Sequence, residues 1–157
     1  MKKIVLLLNF MFLILLSSCN FGDRYYDICP VKVGDSKEVI YEKKRAKGFD
    51  DCNLFGKYII FSLNEENVSF IVTLNEELCA ENIEAFKKIK TTKRKINSLK
   101  TGEEFFSCVK KVGLPVNVKE YEDKLVVDFI EYIDDRYVEI YYYTEFQLND
   151  DGMYYLI

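Results

Sequence analysis

The stretch GEEFFSCVKKVGLP, residues 102–115, decides the fold class of this chain. Its apolar residues recur at the spacing of one face of a short helix: Phe105, Cys108 or Val109, and Val112. Thr101 and Glu104 stand in capping-box positions at the start of this helix. At its end, Gly113 suits a left-handed residue and Pro115 prevents the helix from continuing. The stretch therefore predicts a short helix with defined ends.

Three β-rich runs and a shorter fourth run follow this helix. They are residues 116–121, 124–133, 136–148 and 153–157. The segments between them are short and rich in Asp, Asn, Glu and Gly, which favour tight turns. Because such turns join neighbouring strands, the second half of the chain is predicted to be a helix followed by an antiparallel meander.

The first half contains a similar helix signal. Residues 35–47 are rich in helix formers, and Asp35 and Glu38 stand in capping-box positions. Gly34 precedes this helix as Gly102 precedes the later one, and the interval between the two glycines is 68 residues. We interpret the chain as a possible degenerate tandem repeat, with a first half at 29–90 and a second half at 91–157.

Two β-rich runs, residues 57–63 and 68–74, predict a hairpin after the first helix. Asn75 is placed to cap another helix over residues 76–90, in which apolar side chains recur at helical spacing. The expected fold class is therefore α+β, with short helices packed on one face of an antiparallel sheet.

The N-terminal segment has the order of a lipoprotein signal. Residues 4–16 form an apolar run that is too short for a bilayer, which needs about 20 residues. The run ends in LSSC, residues 16–19, which resembles the bacterial lipobox. That resemblance implies cleavage of the signal peptide 1–18 and attachment of diacylglycerol, with further acylation such as palmitate, at Cys19. Residues 19–28 would then form the lipidated tether.

Composition excludes several classes of activity. The chain has 157 residues, a formal charge of −4 and no histidine, so it lacks the commonest general base and metal ligand. Cleavage would leave 139 residues with a charge of −6, since two lysines are removed. An acidic domain is a poor partner for nucleic acid, whose phosphates are bound mainly by Lys and Arg. We expect no enzymatic activity, no metal and no cofactor apart from the covalent lipid.

Four cysteines remain once Cys19 is assigned to lipid. They are Cys29, Cys52, Cys79 and Cys108. An even number in an exported chain permits two disulfides, for example in sequential pairs. Buried free thiols are the alternative, because Cys is a common small core residue. A catalytic thiol is not expected, since no histidine is present to activate one.

The helix motif resembles that of a lipoprotein family. Gly102, a second glycine eleven positions later and a proline two positions further are similar to the pattern of the SmpA/OmlA, or BamE-like, outer-membrane lipoproteins. In this resemblance Cys108 takes the place of a buried valine, and Gly113 and Pro115 end the helix. Glu104 departs from the family, which usually has Ser or Thr there. The family implies an α+β sandwich that makes protein contacts and has no active site, and a tandem arrangement would be similar to the β-lactamase-inhibitor proteins.

One face of the longest predicted strand is rich in tyrosine and glutamate. Alternation along the strand places these residues together: Tyr137, Glu139, Tyr141, Tyr143 and Glu145. Tyrosine is enriched at protein interfaces, so this face is the candidate interaction surface. An ordinary strand composition in a tyrosine-rich chain is the alternative explanation.

The predicted function is that of a lipid-anchored protein of the cell envelope, in the outer membrane if the cell is Gram-negative. It would be held to the membrane by its lipid and would bind an unidentified envelope protein, in an assembly or scaffold role. The alternatives are an exported, inhibitor-like or surface-exposed binding protein, and a small-ligand-binding lipoprotein, which would need a concave apolar pocket.

Overall fold

The computed structural model describes residues 23–63, 66–133 and 138–157. The helices are α1 (Asp23–Ile28), α2 (Lys37–Lys47), α3 (Lys93–Ile96) and α4 (Phe105–Val112). The strands are β1 (Phe49–Phe55), β2 (Tyr58–Leu63), β3 (Val68–Leu74), β4 (Ala80–Lys87), β5 (Asn117–Glu120), β6 (Lys124–Ile133), β7 (Val138–Leu148) and β8 (Tyr154–Leu156). The chain is α+β, as predicted. The expected signal peptide and Cys19 lie outside the described residues.

Two four-stranded antiparallel sheets organise the described chain. The first sheet has the order β1-β2-β3-β4 and the second has the order β5-β6-β7-β8. Each sheet is therefore a meander whose neighbours in sequence are neighbours in space. The predicted hairpin is present as β2 and β3, and the predicted C-terminal meander is present as β5 to β8.

The predicted helix over residues 76–90 is wrong, because this segment contains strand β4. The Asn75 side chain accepts hydrogen bonds from the amides of Glu77 and Cys79, at 3.1 and 2.9 Å, and so closes a turn instead of capping a helix. The turn directs β4 back along β3, where Ile83 pairs with Val72. Pairing with a strand already in place outweighs the helix propensity of this segment.

The cap of α4 also differs from the prediction. Glu104 is the residue before the helix, and its carboxylate accepts hydrogen bonds from the amides of Phe106 and Ser107, at 2.8 and 2.9 Å. The helix thus begins three residues later than a cap at Thr101 would require. A carboxylate at a helix N-terminus is favoured by both the exposed amides and the helix dipole.

The cap of α2 is shifted by one residue. The Ser36 hydroxyl accepts a hydrogen bond from the amide of Val39, at 3.4 Å, so Ser36 and not Asp35 caps the helix. The Asp35 carboxylate instead accepts from the backbone amide three residues earlier, at 2.6 Å, and from the Lys43 ammonium, at 2.5 Å. It therefore joins the turn before the helix to the helix itself.

The turns before α2 and α4 make matching backbone hydrogen bonds. The amide of Gly34 donates to the carbonyl of Ala80, and the amide of Gly102 donates to the carbonyl of Leu156, both at 2.8 Å. Both glycines have positive φ, at 91° and 84°. In each half, the turn before the helix is thus tied to the last strand of the sheet that follows.

The side chains of the two turns match as well. Glu103 accepts from the amide three residues before it, at 3.1 Å, and from Lys111, at 3.0 Å. Asp35 makes the same two contacts, the second with Lys43. The interval is 68 residues for both members of this pair, which is the interval between the two glycines.

Helix α2 covers one face of the first sheet. Buried Ile40 of the helix shares a core with apolar side chains that alternate along β2 and β3. These are Ile59, Phe61, Val68, Phe70 and Val72. Because strand side chains alternate, the residues between them point to the opposite face of the sheet.

Helix α4 packs against both sheets. The Phe105 ring lies 5.2 Å from that of Phe55 in the first sheet and 5.1 Å from that of Phe146 in the second, edge to face in both cases. Ile60 and Ile71, on the face of the first sheet away from α2, belong to this same core. The expectation of helices on one face of one sheet is therefore wrong, since the first sheet is covered on both faces.

Candidate functional site

The outer face of the second sheet carries the predicted tyrosines. We call the group Tyr132, Glu139, Tyr141, Tyr143 and Glu145 on this face the tyrosine face. The side chain of Tyr141 is 48% exposed and that of Tyr143 is 73% exposed. On the other side of β7, Phe146 is fully buried against α4. The predicted Tyr137 lies outside the described residues.

The register between β6 and β7 sets the neighbours on this face. Tyr141 lies opposite Ile130, Tyr143 lies opposite Asp128, and Glu139 lies opposite Tyr132. Tyr132 is 65% exposed and was not predicted as part of the face. Only the pairing of the two strands brings it there, and a single strand's alternation contains no information about its neighbour's register.

Two contacts hold the acidic side chains of the face. The Tyr141 hydroxyl donates to Glu139 at 3.0 Å, and the Lys124 ammonium donates to Glu145 at 3.5 Å. The hydrogen bond to Glu139, followed by the charge of that carboxylate, raises the pKa of Tyr141. The phenol therefore stays neutral at physiological pH and offers an amphipathic, uncharged surface beside a carboxylate.

The strands of the second sheet extend beyond the helix that covers them. Helix α4 has 8 residues, or about 12 Å, whereas β7 has 11 residues, or about 36 Å. Val138, predicted to lie on the core face, is consequently 49% exposed. Tyr142 is on the helix-facing side, where its hydroxyl donates to Glu131 at 2.5 Å. That hydrogen bond, together with desolvation, raises the pKa of Tyr142 to about 12.

A cleft of about 520 Å³ adjoins the tyrosine face, and Tyr132 belongs to both. Its apolar residues include Leu114, Val116 and Ile130. Polar side chains also line it, among them Lys88 and Asp50, which form a salt bridge at 3.3 Å. The cleft therefore lies at the junction of the two halves, between the end of β4 and the end of β6, and the small-ligand alternative would use it.

The four described cysteines are free thiols, so the disulfides that the sequence permitted are absent from the structure. Cys29 and Cys52 both belong to the core under α2 but are not bonded. Cys108 is buried in the core around α4, whereas Cys79 is half-buried in the turn that leads to β4. Burial raises the pKa of Cys29 to about 11 and that of Cys108, which also faces acidic neighbours, to about 12.

The helix-motif residues have structural positions. Gly113 has a φ of 119°, and a Cβ there would lie 2.5 Å from the carbonyl oxygen of Ile89. The carbonyl of Pro115 accepts a hydrogen bond from the Asn53 side chain at 2.6 Å. Gly102 forms the turn before α4. These residues join the two halves of the chain and leave the tyrosine face to other elements.

Within the ranges that the structure describes, no helix is long and apolar enough to cross a membrane. The same ranges contain no cluster of three acidic or cysteine side chains suited to a metal ion. Comparisons of the chain with protein-family models, with curated proteins and with solved structures find no match.

Proposed function

We propose that this protein is a lipid-anchored cell-envelope protein, without enzymatic activity, that binds a partner protein through the tyrosine face. The observation that carries the proposal is the exposure of Tyr141 and Tyr143 in the middle of a long paired strand. Tyrosine presents a large amphipathic area with few rotatable bonds and is over-represented among residues that dominate binding energy. A rigid sheet supports such an area without further ordering cost.

The lipobox supports the anchor. The lipid would be attached at Cys19, and the first described helix begins at Asp23, four residues later. Four extended residues span at most about 14 Å, so the folded body would stay close to the membrane surface. The resemblance to the SmpA/OmlA family is the reason to place the protein in the outer membrane of a Gram-negative cell, in an assembly or scaffold role.

We infer that the chain is a tandem repeat of a helix and a four-stranded meander, with units at 29–90 and 91–157. The matching hydrogen bonds of the turns before α2 and α4 support this inference. A tandem repeat favours a second candidate function, that of an inhibitor-like or surface-exposed binding protein, by its similarity to the β-lactamase-inhibitor proteins. Both candidates bind a protein and have no active site.

Substitution of two tyrosines tests the proposed contact. Tagged protein is isolated from crosslinked membranes, and the proteins bound to it are quantified by mass spectrometry. The double variant Tyr141→Ser, Tyr143→Ser is expected to recover at least about tenfold less partner, because two exposed aromatic contacts are removed. Tyr26→Ser is the matched control, since this tyrosine is 49% exposed but lies on α1.

An outer-membrane barrel among the captured proteins would favour the assembly role, and a soluble exported protein would favour the inhibitor-like role. Equal recovery of the partner with the double variant and with Tyr26→Ser would refute binding through the tyrosine face.

A further inference from the structure

We propose that the tyrosine face receives an amphipathic α-helix of the partner protein, in the manner in which the first sheet receives α4. This inference rests on the proposed function, because it names the chemistry of the partner at the same face. One of the two sheets in the molecule has its equivalent face covered, and the structure therefore contains an example of what binds there.

The two sheets have equivalent inner faces. Ile59 and Phe61 of β2 point toward α2, the helix that precedes their sheet. Val127 and Phe129 of β6 point toward α4, the helix that precedes theirs. Each residue of the first pair is 68 positions before its equivalent in the second pair, which is the interval of the matching turns.

The two outer faces are therefore equivalent as well. On the first sheet this face is centred on the cross-strand pair Ile60 and Ile71, which are 0% and 3% exposed. On the second sheet the corresponding pair is Asp128 and Tyr143. The first pair is covered by α4, whereas no described element covers Tyr143, which is 73% exposed. The second face is also more polar, as expected of an interface that must remain in water when unoccupied.

Aromatic residues of the first turn of α4 make the contact with the first sheet. The Phe106 ring packs edge to face on Tyr58, with 4.7 Å between ring centroids, and lies 6.2 Å from Phe55. A helix that docks on the tyrosine face is accordingly expected to place an aromatic or large aliphatic side chain against Tyr141 and Tyr143. Such a helix would present apolar residues at positions i, i+3 or i+4, and i+7.

Charge narrows the partner further. Lys110 of α4 forms a salt bridge with Glu84 on the outer face of the first sheet. The tyrosine face carries two exposed carboxylates, Glu139 and Glu145, and of these Glu145 already contacts Lys124. A helix with Lys or Arg beside its apolar stripe would place a cation against Glu139.

A second copy of this chain does not fit as the occupant. Helix α2 is the element of a second copy that corresponds to α4, and its positions equivalent to Phe105 and Phe106 are Lys37 and Glu38. It lacks the aromatic pair that makes the contact within the chain. A polar outer face on the first repeat is what a terminal unit of a stack requires for solubility.

Site-directed photocrosslinking tests the inference. The full-length lipoprotein, with p-benzoylphenylalanine in place of Tyr143 or Tyr141, is irradiated in membranes, and the crosslinked residues of the other protein are located by mass spectrometry. The expected result is a set of residues three or four positions apart in one partner segment that carries Lys or Arg. Glu139→Lys is expected to lower the crosslink yield about tenfold, whereas Glu42→Lys, on exposed α2, leaves it unchanged.

Crosslinks two residues apart or scattered over loops would overturn the helix while leaving the proposed function in place. Crosslinks to a second copy of the chain would also overturn it. Absence of crosslinks from both tyrosine positions would overturn the helix and the proposed contact together, and the tyrosine-to-serine capture experiment would then fail as well.

Discussion

At Gly113 the backbone adopts φ 119° and ψ 175°, a region that is almost restricted to glycine. The residue is also fully surrounded, since a Cβ would meet the Ile89 carbonyl oxygen at 2.5 Å and the Thr91 hydroxyl at 2.9 Å. The end of α4 and the segment after β4 therefore come together because residue 113 has no side chain. The family resemblance predicted a helix terminator here but did not reveal this close approach.

Gly113→Ala is expected to destabilise the protein by about 3 kcal/mol or more, because backbone strain and a steric clash add at the same position. Gly102→Ala is the matched comparison. It also has positive φ, at 84°, but nothing lies within 4 Å of its Cβ, so a cost of about 1–2 kcal/mol is expected. Urea unfolding of both variants measures the difference. Equal losses would show that the approach of Ile89 is unimportant.

Cys108 gives a pH-dependent prediction. Burial, with the charges of Glu103 and Glu104, raises its pKa from 9.0 to about 12 in the folded state. Below pH 9 the thiol is protonated in both states and contributes no pH dependence. Between pH 9 and 12 it ionises only when unfolded, so the free energy of unfolding falls as pH rises.

Cys108→Ala is expected to weaken that alkaline loss of stability, although it lowers stability near neutral pH by leaving a small cavity. Denaturant unfolding at pH 8 and pH 10.5 measures the effect. In the native wild-type protein, Cys108 is also expected to react with iodoacetamide more slowly than half-buried Cys79. Equal pH dependence in the variant and the wild type would contradict the assignment.

At the scale of elements, strong alternation predicted the central strands correctly. Strands β2, β3, β6 and β7 have dense apolar and β-branched residues, and their positions are confirmed. Strand β4, AENIEAFK, consists largely of good helix formers, and its conformation depends on pairing with β3 through a turn in which Leu78 has a φ of 59°. Strand β1 contains a bulge between Asp50 and Asn53 and shows no alternation that would identify it. Non-local pairing decides both strands, and local propensity does not record it.

The contact between α4 and the first sheet is expected to be energetically coupled. Phe55 is 4% exposed, and its ring meets those of both Phe105 and Phe106. Phe55→Ala should cost about 3–5 kcal/mol, as large-to-small core substitutions do. In a double-mutant cycle with Phe106→Ala, a coupling of about 0.5–1.5 kcal/mol is expected from the ring contact. Additive losses would indicate that α4 does not connect the two sheets energetically.

For the whole molecule, the stacking order of helices and sheets is the feature that the sequence could not provide. The local signals in residues 102–115 identify a helix and its meander, but they do not indicate that α4 also covers the preceding sheet. That arrangement depends on the pairing of surfaces such as Ile60 and Ile71 with a helix more than 30 residues later in the chain. Alternation did identify the exposed side of β7, whereas Tyr132 and the adjoining cleft require the register and the packing of both halves.

The order α2, first sheet, α4, second sheet leaves one sheet face at the end of the stack without a described cover. This open end carries Tyr141 and Tyr143, and the opposite end, the outer side of α2, is polar and charged. A stack of repeats with one polar end and one aromatic end is suited to binding at the aromatic end. The anchor would hold this binding face near the membrane on which the partner resides.

Protection of the tyrosine face in native membranes is the most direct test of the proposed binding. In a Cys52→Ser, Cys79→Ser background, Tyr143→Cys is labelled with a maleimide in membranes and in the purified protein. Labelling at least about tenfold slower in membranes is expected, because the partner covers the face. Val39→Cys, on α2 and 36% exposed in the native residue, should react at the same rate in both. Equal rates for Tyr143→Cys in membranes and in the purified protein would contradict binding through the tyrosine face.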